Sequence, residues 1–319
     1  MADTSTSTSQ PPDVGGSDSE EGKGGEQRYR PPFVNSSDLT ATTTTAGASS
    51  DLSHEEYLRK HNLTLYLKDA TKLMMAAGDE ECRERPTEFL AAYFTACCAG
   101  THVTGRPYAF ISGSLFNRLH FMRNTVAAFE HMNDLVQGVK LMDCHSLVLL
   151  LCHDFPLNVV RAAFKPAAFL SQGLNQLEDA HTVVPLLHFL KCLGITFIYE
   201  RFLVEMRHDA FDARSKYHVH VESVKEVMGE VRLLVEETGW GAPPPDIMAP
   251  LLERAADSKK CVSFDILVRA MCASDALWAS IATEGERLHR AGEVAAAMAT
   301  AATELCARAS RDGARGKGG

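Results

Sequence analysis

Asn62-Leu63-Thr64-Leu65-Tyr66-Leu67-Lys68-Asp69-Ala70-Thr71-Lys72-Leu73-Met74-Met75-Ala76-Ala77 places apolar side chains at Leu63, Tyr66, Leu67, Ala70, Leu73, Met74 and Ala77. Steps of three and one, repeated, trace a single stripe along an α-helix. Upstream, Ser53 stands three residues before Glu56, the spacing of a capping box. Downstream, Gly78 and the charged run from Asp79 to Arg85 end the helix, and Pro86 suits the first turn of a second one. Its stripe is Phe89, Leu90, Tyr93, Phe94 and Cys97, and Gly100 closes it. Two short antiparallel helices with broad apolar faces cannot bury both faces against each other alone. The pair is therefore expected to dimerise or to dock on something larger.

The same periodicity continues, and the predicted fold class is all-α. Leu115 to Met132 reads as an amphipathic helix through Phe116, Leu119, Met122, Val126 and Phe129. Asp143 to Cys152 is a further helix, broken by Asp154-Phe155-Pro156, and Pro156 opens another through Phe164. Val183 to Met206 reads as one long buried helix with a kink at Gly194. Glu222 to Thr238 turns Val224, Val227, Val231, Leu234 and Val235 inward. Trp240-Gly241-Ala242-Pro243-Pro244-Pro245 is a stiff break, since proline fixes φ and removes donors. Short helices follow to Leu277, then an Ala-rich helix from Trp278 to Ala307. The expected organisation is a polar tail (1–52), the helix pair (53–100), a central helical domain (101–215), a C-terminal helical region (216–305) and a basic tail (306–319).

Residues 1–52 are dominated by Ser, Thr, Gly, Pro and acids, a composition that cannot bury enough apolar area to offset backbone entropy. Within it, Arg28-Tyr29-Arg30-Pro31-Pro32-Phe33 reads either as solvated tail or as a short docking peptide. The 319-residue chain has a net charge of −9, which argues against a general nucleic-acid binder. No apolar run approaches the roughly 20 residues of a bilayer span; Val183 to Leu193 is interrupted by His188 and Lys191. The N-terminus lacks the apolar core of a signal peptide. Nine cysteines (Cys82, Cys97, Cys98, Cys144, Cys152, Cys192, Cys261, Cys272, Cys306) form an odd, irregular set mostly within apolar stretches, as in a reducing cytoplasmic setting.

The segments Glu56-Tyr57-Leu58, Asn62 to Ala70 and Arg85-Pro86-Thr87-Glu88-Phe89-Leu90-Ala91-Ala92-Tyr93-Phe94 resemble the docking/dimerisation helix pair of the type II regulatory subunit of cAMP-dependent kinase. There the pair forms a dimeric four-helix bundle whose groove takes a partner's amphipathic helix. Further short motifs follow in order: Gly100-Thr101-His102-Val103; Asn117-Arg118 with Phe121 and Arg123; and Leu149-Leu150-Leu151-Cys152-His153-Asp154-Phe155-Pro156-Leu157. After them come Tyr199-Glu200-Arg201-Phe202-Leu203, Pro243-Pro244-Pro245, and Val262-Ser263-Phe264 with Ala270. Together they resemble the centriolar satellite-associated tubulin polyglutamylase complex regulator family, over roughly residues 53 to 275. A subunit of the polyglutamylase complex shares the N-terminal module. The resemblance implies a non-catalytic scaffold that binds polyglutamylase complex subunits, with microtubules as a further candidate partner, near centrioles, centriolar satellites and the cilium base. It also implies homodimer or heterodimer formation through 53–100. The tails depart from the family pattern, so functions placed in a long C-terminal tail are not carried over.

The candidate partner-binding residues are Leu63, Tyr66, Leu67, Ala70, Leu73, Met74, Phe89, Leu90, Tyr93 and Phe94; the plain alternative is an intramolecular hairpin packed on the chain. Aromatic side chains there bury large areas at low entropy cost. Calcium needs oxygen ligands at loop positions 1, 3, 5 and 12. With Leu141, Val183 or Val262 as the eighth loop residue, those positions hold Asp134, Val136, Gly138 and His145; Gln176, Glu178, Ala180 and Leu187; or Ala255, Asp257, Lys259 and Ile266. None is a calcium set; EF-hand-like packing that has lost its metal is one arrangement open to these helices, beside ordinary helical packing. Cys144-His145, Cys152-His153 and His218-Val219-His220 lack the convergent pairs of a zinc site. Cys97 and Cys98 lack the signature of a cysteine hydrolase, and no nucleotide-binding glycine motif occurs. Neither catalytic residues nor cofactors are assigned. The basic end (Arg308, Arg311, Arg315, Lys317) reads as a solubilising tail or as a contact for acidic tubulin tails. The resemblance thus implies a regulator of tubulin polyglutamylation. The rival reading is an adaptor for an amphipathic anchoring helix in an axonemal or signalling assembly, unrelated to glutamylation.

Overall fold

The computed structural model describes residues 53–60, 62–76, 85–132, 138–173, 182–212, 218–287 and 289–290. Of these, 76% are helical, so the chain is all-α. Ser53 and Glu56 form the capping box: Glu56 N–H donates to Ser53 Oγ (3.2 Å) and Ser53 N–H to the Glu56 carboxylate (3.0 Å). Helix α1 (His54–Lys60) is separated from α2 (Leu63–Ala76) at Asn62, which takes a left-handed φ of 52°. One helix was expected there. A left-handed residue cannot continue a right-handed helix, and asparagine tolerates that conformation. Helix α3 (Pro86–Ala99) begins at its proline and ends on Gly100 at φ 74°. Short α4 (Tyr108–Ile111) leads into α5 (Leu115–Phe129), capped by Ser114, whose Oγ accepts from Asn117 N–H.

From α5 onward one unit recurs. Helix, bridging valine, one further residue and helix appear four times; the valine stands alone in the first two units and in a two-residue strand in the last two. Val139 precedes α6 (Leu141–Leu149) by two residues. Helix α7 (Leu157–Gln172), Val184 and α8 (Leu186–Ile198) make the second unit. Helix α9 (Glu200–Met206) with its π-turn Arg207–Asp212, Val219 and α10 (Val221–Glu237) make the third. Helix α11 (Pro245–Ala255), Val262 and α12 (Phe264–Ala273) make the fourth. The units pair through antiparallel bridges. Val139 and Val184 exchange both backbone hydrogen bonds (2.8 and 3.0 Å), and β1 (Val219–His220) pairs with β2 (Cys261–Val262). This is EF-hand-like packing.

The bridges revise the loop registers. The first loop is centred on Val139 rather than Leu141, the second on Val184 rather than Val183, and a loop centred on Val219 joins them. Among the described residues, the ligand positions then hold Met132 and Asp143; His188; Asp212 and Ser223; and Ala255, Asp257, Lys259 and Ile266. None supplies the oxygen set that Ca²⁺ requires. The fourth loop keeps the backbone shape. Lys260 occupies the sixth position, normally glycine, at φ 55°, and Asp257 spends its carboxylate on the N–H groups of Lys259 and Cys261, both at 2.8 Å.

A single apolar core runs through all four units, from Val103 to Ile281. At its centre Phe121 stacks on Phe155 (centroids 5.6 Å), and Phe197 and Tyr108 close the cluster edge-on or tilted. Each such ring contributes about 1.5–3 kcal/mol by leaving water. The expected helix 183–206 breaks at Tyr199 into α8 and α9, not at Gly194. Gly194 has another role: a Cβ there would lie 2.4 Å from the Trp278 ring. Helix α7 also runs past Phe164 to Gln172, with Pro166 in its interior. The last helix, α13 (Asp275–Arg287), is bent 64° from α12. The expected continuation beyond residue 290 to Ala307, both tails and residues 77–84 fall outside the described residues.

One polar side chain is threaded through this core. Arg118 is 5% exposed. It donates to Ser112 O (3.1 Å) and Phe197 O (2.5 Å) and pairs with Glu200 (2.7 Å). Its guanidinium lies between the rings of Phe197 and Trp240, at 4.7 and 4.6 Å. It therefore ties α5 to α8, α9 and the proline-rich turn. Arg118→Ala should cost roughly 3 kcal/mol or more, because it strands the buried carbonyls and removes the filling between two rings. Arg118→Lys should recover little, lacking the planar fork. Urea unfolding of the three proteins measures both.

Candidate functional site

The helix pair meets the rest of the chain through a small second core: Tyr66, Ala70, Tyr93, Cys97 and Phe110, edged by Leu65, Leu73, Phe89, Leu90, Phe94 and Phe116. Of the predicted partner-binding residues, Ala70 is fully buried and Tyr66 and Tyr93 are each 8% exposed. Leu63, Leu73, Met74, Phe89, Leu90 and Phe94 are half-buried. Leu67 is 46% exposed, and its neighbour two turns along, Met75, is 73% exposed. The pair is thus docked intramolecularly through its tyrosines, while one face of α2 stays open.

The docking is polar at its centre. Tyr66 Oη donates to Asn117 Oδ1 (2.8 Å) and accepts from Ser114 Oγ (3.0 Å). His102 Nε2 meets the same Asn117 oxygen at 2.8 Å, and Asn117 Nδ2 donates to Phe110 O (2.8 Å). Because an amide oxygen only accepts, His102 carries its proton on Nε2. Across the hairpin, Tyr93 Oη donates to Asp69 (2.8 Å), whose other oxygen pairs with Arg106. Arg106 in turn lies over the Phe110 ring at 4.6 Å. Burial pushes the Tyr66 and Tyr93 phenols well above their usual range, so both stay protonated donors. Asp69, His102, Arg106, Ser114 and Asn117 were not singled out as site residues. One signal was present: Asp69 falls three residues after Tyr66, on the apolar stripe itself, where an acid needs a buried partner.

His120 completes the junction. It is 1% exposed, packs on Phe116 (4.3 Å) and His102 (5.9 Å), and neither ring nitrogen has a hydrogen-bond partner. It fills the space a side chain on Gly100 would need, since a Cβ there would lie 2.1 Å from His120 Nδ1. Burial, with the nearby charges of His102, Arg123 and His289, lowers its pKa to about 4; burial also lowers that of His102.

The other candidate sites are engaged elsewhere. Burial pushes the thiols of Cys97, Cys144 and Cys152 up to about 12, so none is a thiolate at neutral pH. His145 Nε2 is bonded to Phe155 O (2.8 Å), and His220 Nδ1 caps α10 by accepting from Glu222 N–H. Among the described residues no group of three or more His, Cys, Asp or Glu is placed to hold a metal ion.

Comparison with curated proteins finds relatives that share the sequence motifs. The chain is 26% identical over 149 residues to a Homo sapiens protein named centriolar satellite-associated tubulin polyglutamylase complex regulator 1, covering 46% of this chain and 43% of that one. The Mus musculus protein of that name is 27% identical over 149 residues, and the Danio rerio one 26% over 153 residues, or 48% of this chain and 44% of that one. The match therefore spans under half the length of these relatives, and is shorter than the stretch from 53 to 275 that the motifs suggested. No family model matches the chain, and no solved structure does.

Two outcomes follow for the junction. In the folded chain His120 stays neutral down to about pH 4, whereas an unfolded histidine titrates near pH 6.5. The unfolded state thus binds more protons in that window. The contribution is fully present above pH 6.5 and is lost as pH falls towards 4, by on the order of 3 kcal/mol. His120→Phe should flatten this slope in urea titrations between pH 4 and 7 without loss at neutral pH, since no hydrogen bond is removed. Tyr66→Phe removes one of the two donors to Asn117 Oδ1 and the acceptor of the Ser114 hydroxyl, and should cost about 1–2 kcal/mol at pH 7 in the same assay.

Proposed function

We propose that this chain is a non-catalytic regulator of a tubulin polyglutamylase complex, acting in microtubule modification at centriolar satellites, centrioles or the cilium base. The observation that carries the reading is its sequence match to proteins named as regulators of that complex. The glutamyl-transfer chemistry then belongs to the ligase, and this chain holds or places it. The partners are subunits of the complex. The contact surface is the open face of the helix pair, where Leu67 and Met75 lie beside the exposed Lys68 and Lys72. Such a face suits an amphipathic guest helix lying along α2. Tyr66 and Tyr93 hold the hairpin in place and are not the contact residues.

Full-length tagged chain is purified from ciliated cells beside Leu67→Asp/Met75→Asp, and partners are identified by mass spectrometry. Both substitutions fall on exposed positions and should leave the melting temperature unchanged. Polyglutamylase subunits should accompany the wild type and drop by about tenfold or more with the variant. Recovery of ciliary proteins without any ligase subunit would replace the reading with a general docking adaptor. Equal recovery with both proteins would move the contact surface away from α2.

A further inference from the structure

We infer that the surface shared by α7, α11 and α12 binds an acidic peptide that carries one apolar side chain. This goes beyond the helix-pair reading and does not depend on it. The chain as a whole is acidic, with 41 Asp and Glu against 32 Lys and Arg. Helix α7 is the reverse: Leu157–Gln172 contains Arg161 and Lys165 and no acid. Both cations are exposed, and with Phe169 they fall at i, i+4 and i+8, along one side of the helix. Arg269 of α12 lies over the Phe169 ring at 3.9 Å and extends the row across to the neighbouring helix. The stacking holds the guanidinium in place while leaving its N–H donors available.

One turn beyond Arg269, Ala273 lines a hollow of about 240 Å³ between α11 and α12. Its other walls are Leu251, Ala255, Ala270 and Ser274, and its one charged member is Arg254. The volume is below that of an ordinary small-molecule site and suits a single apolar side chain. Ser274 Oγ already accepts from Leu277 N–H, so the hollow offers apolar contact and one cation.

None of Arg161, Lys165, Arg254 and Arg269 forms an ion pair among the described residues. The local acids do not neutralise them. Glu253, beside Arg254, is taken by Lys225, and Asp275 by Lys191 (2.6 Å). Asp265, one turn before Arg269, makes no ion pair with it. Four cations with no carboxylate partner among the described residues, on a chain with excess carboxylates, are complementary to carboxylates from outside. From Arg161 to Phe169 the row is about 12 Å long, the span of three or four extended residues. That length favours a short peptide over a nucleic acid or an anionic membrane, whose extended charge would meet repulsion from the acidic remainder of the chain.

The test is fluorescence anisotropy with the full chain and a labelled Glu-Glu-Glu-Leu-Glu-Glu-Glu peptide. The expected result is saturable binding that weakens as salt rises. It should be at least about tenfold weaker for Arg161→Glu/Lys165→Glu and absent for the glutamine version of the peptide. Ala273→Leu, which fills the hollow, should weaken the leucine peptide but not an all-glutamate one. Arg232→Glu, on α10, should change nothing, and unchanged thermal melts keep the variants interpretable. Equal binding by wild type and the double variant overturns the proposal. So does tighter binding of phosphatidylserine vesicles or oligothymidylate than of the peptide.

Discussion

A guanidinium inside an apolar core needs a polar partner for each nitrogen and cover for its faces. Arg118 meets both conditions with groups from four places in the chain: Ser112, Phe197, Glu200 and Trp240. That constraint fixes the start of α5 against the α8–α9 junction and the proline-rich turn. Its neighbour Asn117 points the other way and gathers Tyr66, His102 and Phe110 O. Two adjacent side chains on one turn of α5 therefore bind the paired units on one side and the helix pair on the other. Most of the apolar burial supplies stability without such directional choice; these two residues supply orientation.

Orientation has a functional consequence. A helix pair with two broad apolar faces must cover one of them. Here it covers the Tyr66–Tyr93 side against the body, with Asp69 and Arg106 as the polar fastening. What remains exposed is the Leu67–Met75 side of α2. Docked in this way, the pair presents one fixed face rather than a free hairpin.

The body behind it has the pairing geometry of calcium-sensing lobes but lacks their chemistry. Helix–valine–helix units are clipped two by two through backbone bridges. In the fourth loop Lys260 stands where glycine normally makes the turn, and Asp257 is committed to backbone donors. The fourth loop is closed by its own hydrogen bonds, and a continuous core runs through all four units.

The sequence alone determined the all-α class, the helix starts at Ser53 and Pro86, the stop at Gly100, and most inward stripes. These depend on local capping, proline and glycine geometry and a period of 3.6, all carried by neighbouring residues. It also brought Asn117-Arg118, His102 and Glu200 forward as motif residues, without their role. That role exists only once α5, α8, α9 and the turn at Trp240 come together, because a buried charge is paired through space. The same holds for the break at Tyr199, for the contact of Gly194 with Trp278, and for the bridge registers at Val139 and Val184. Which face of the helix pair is buried was likewise settled in the tertiary structure. Leu67 and Ala70 lie on one stripe in the sequence, yet the polar partners of Tyr66 and Asp69 turn one inward and leave the other open.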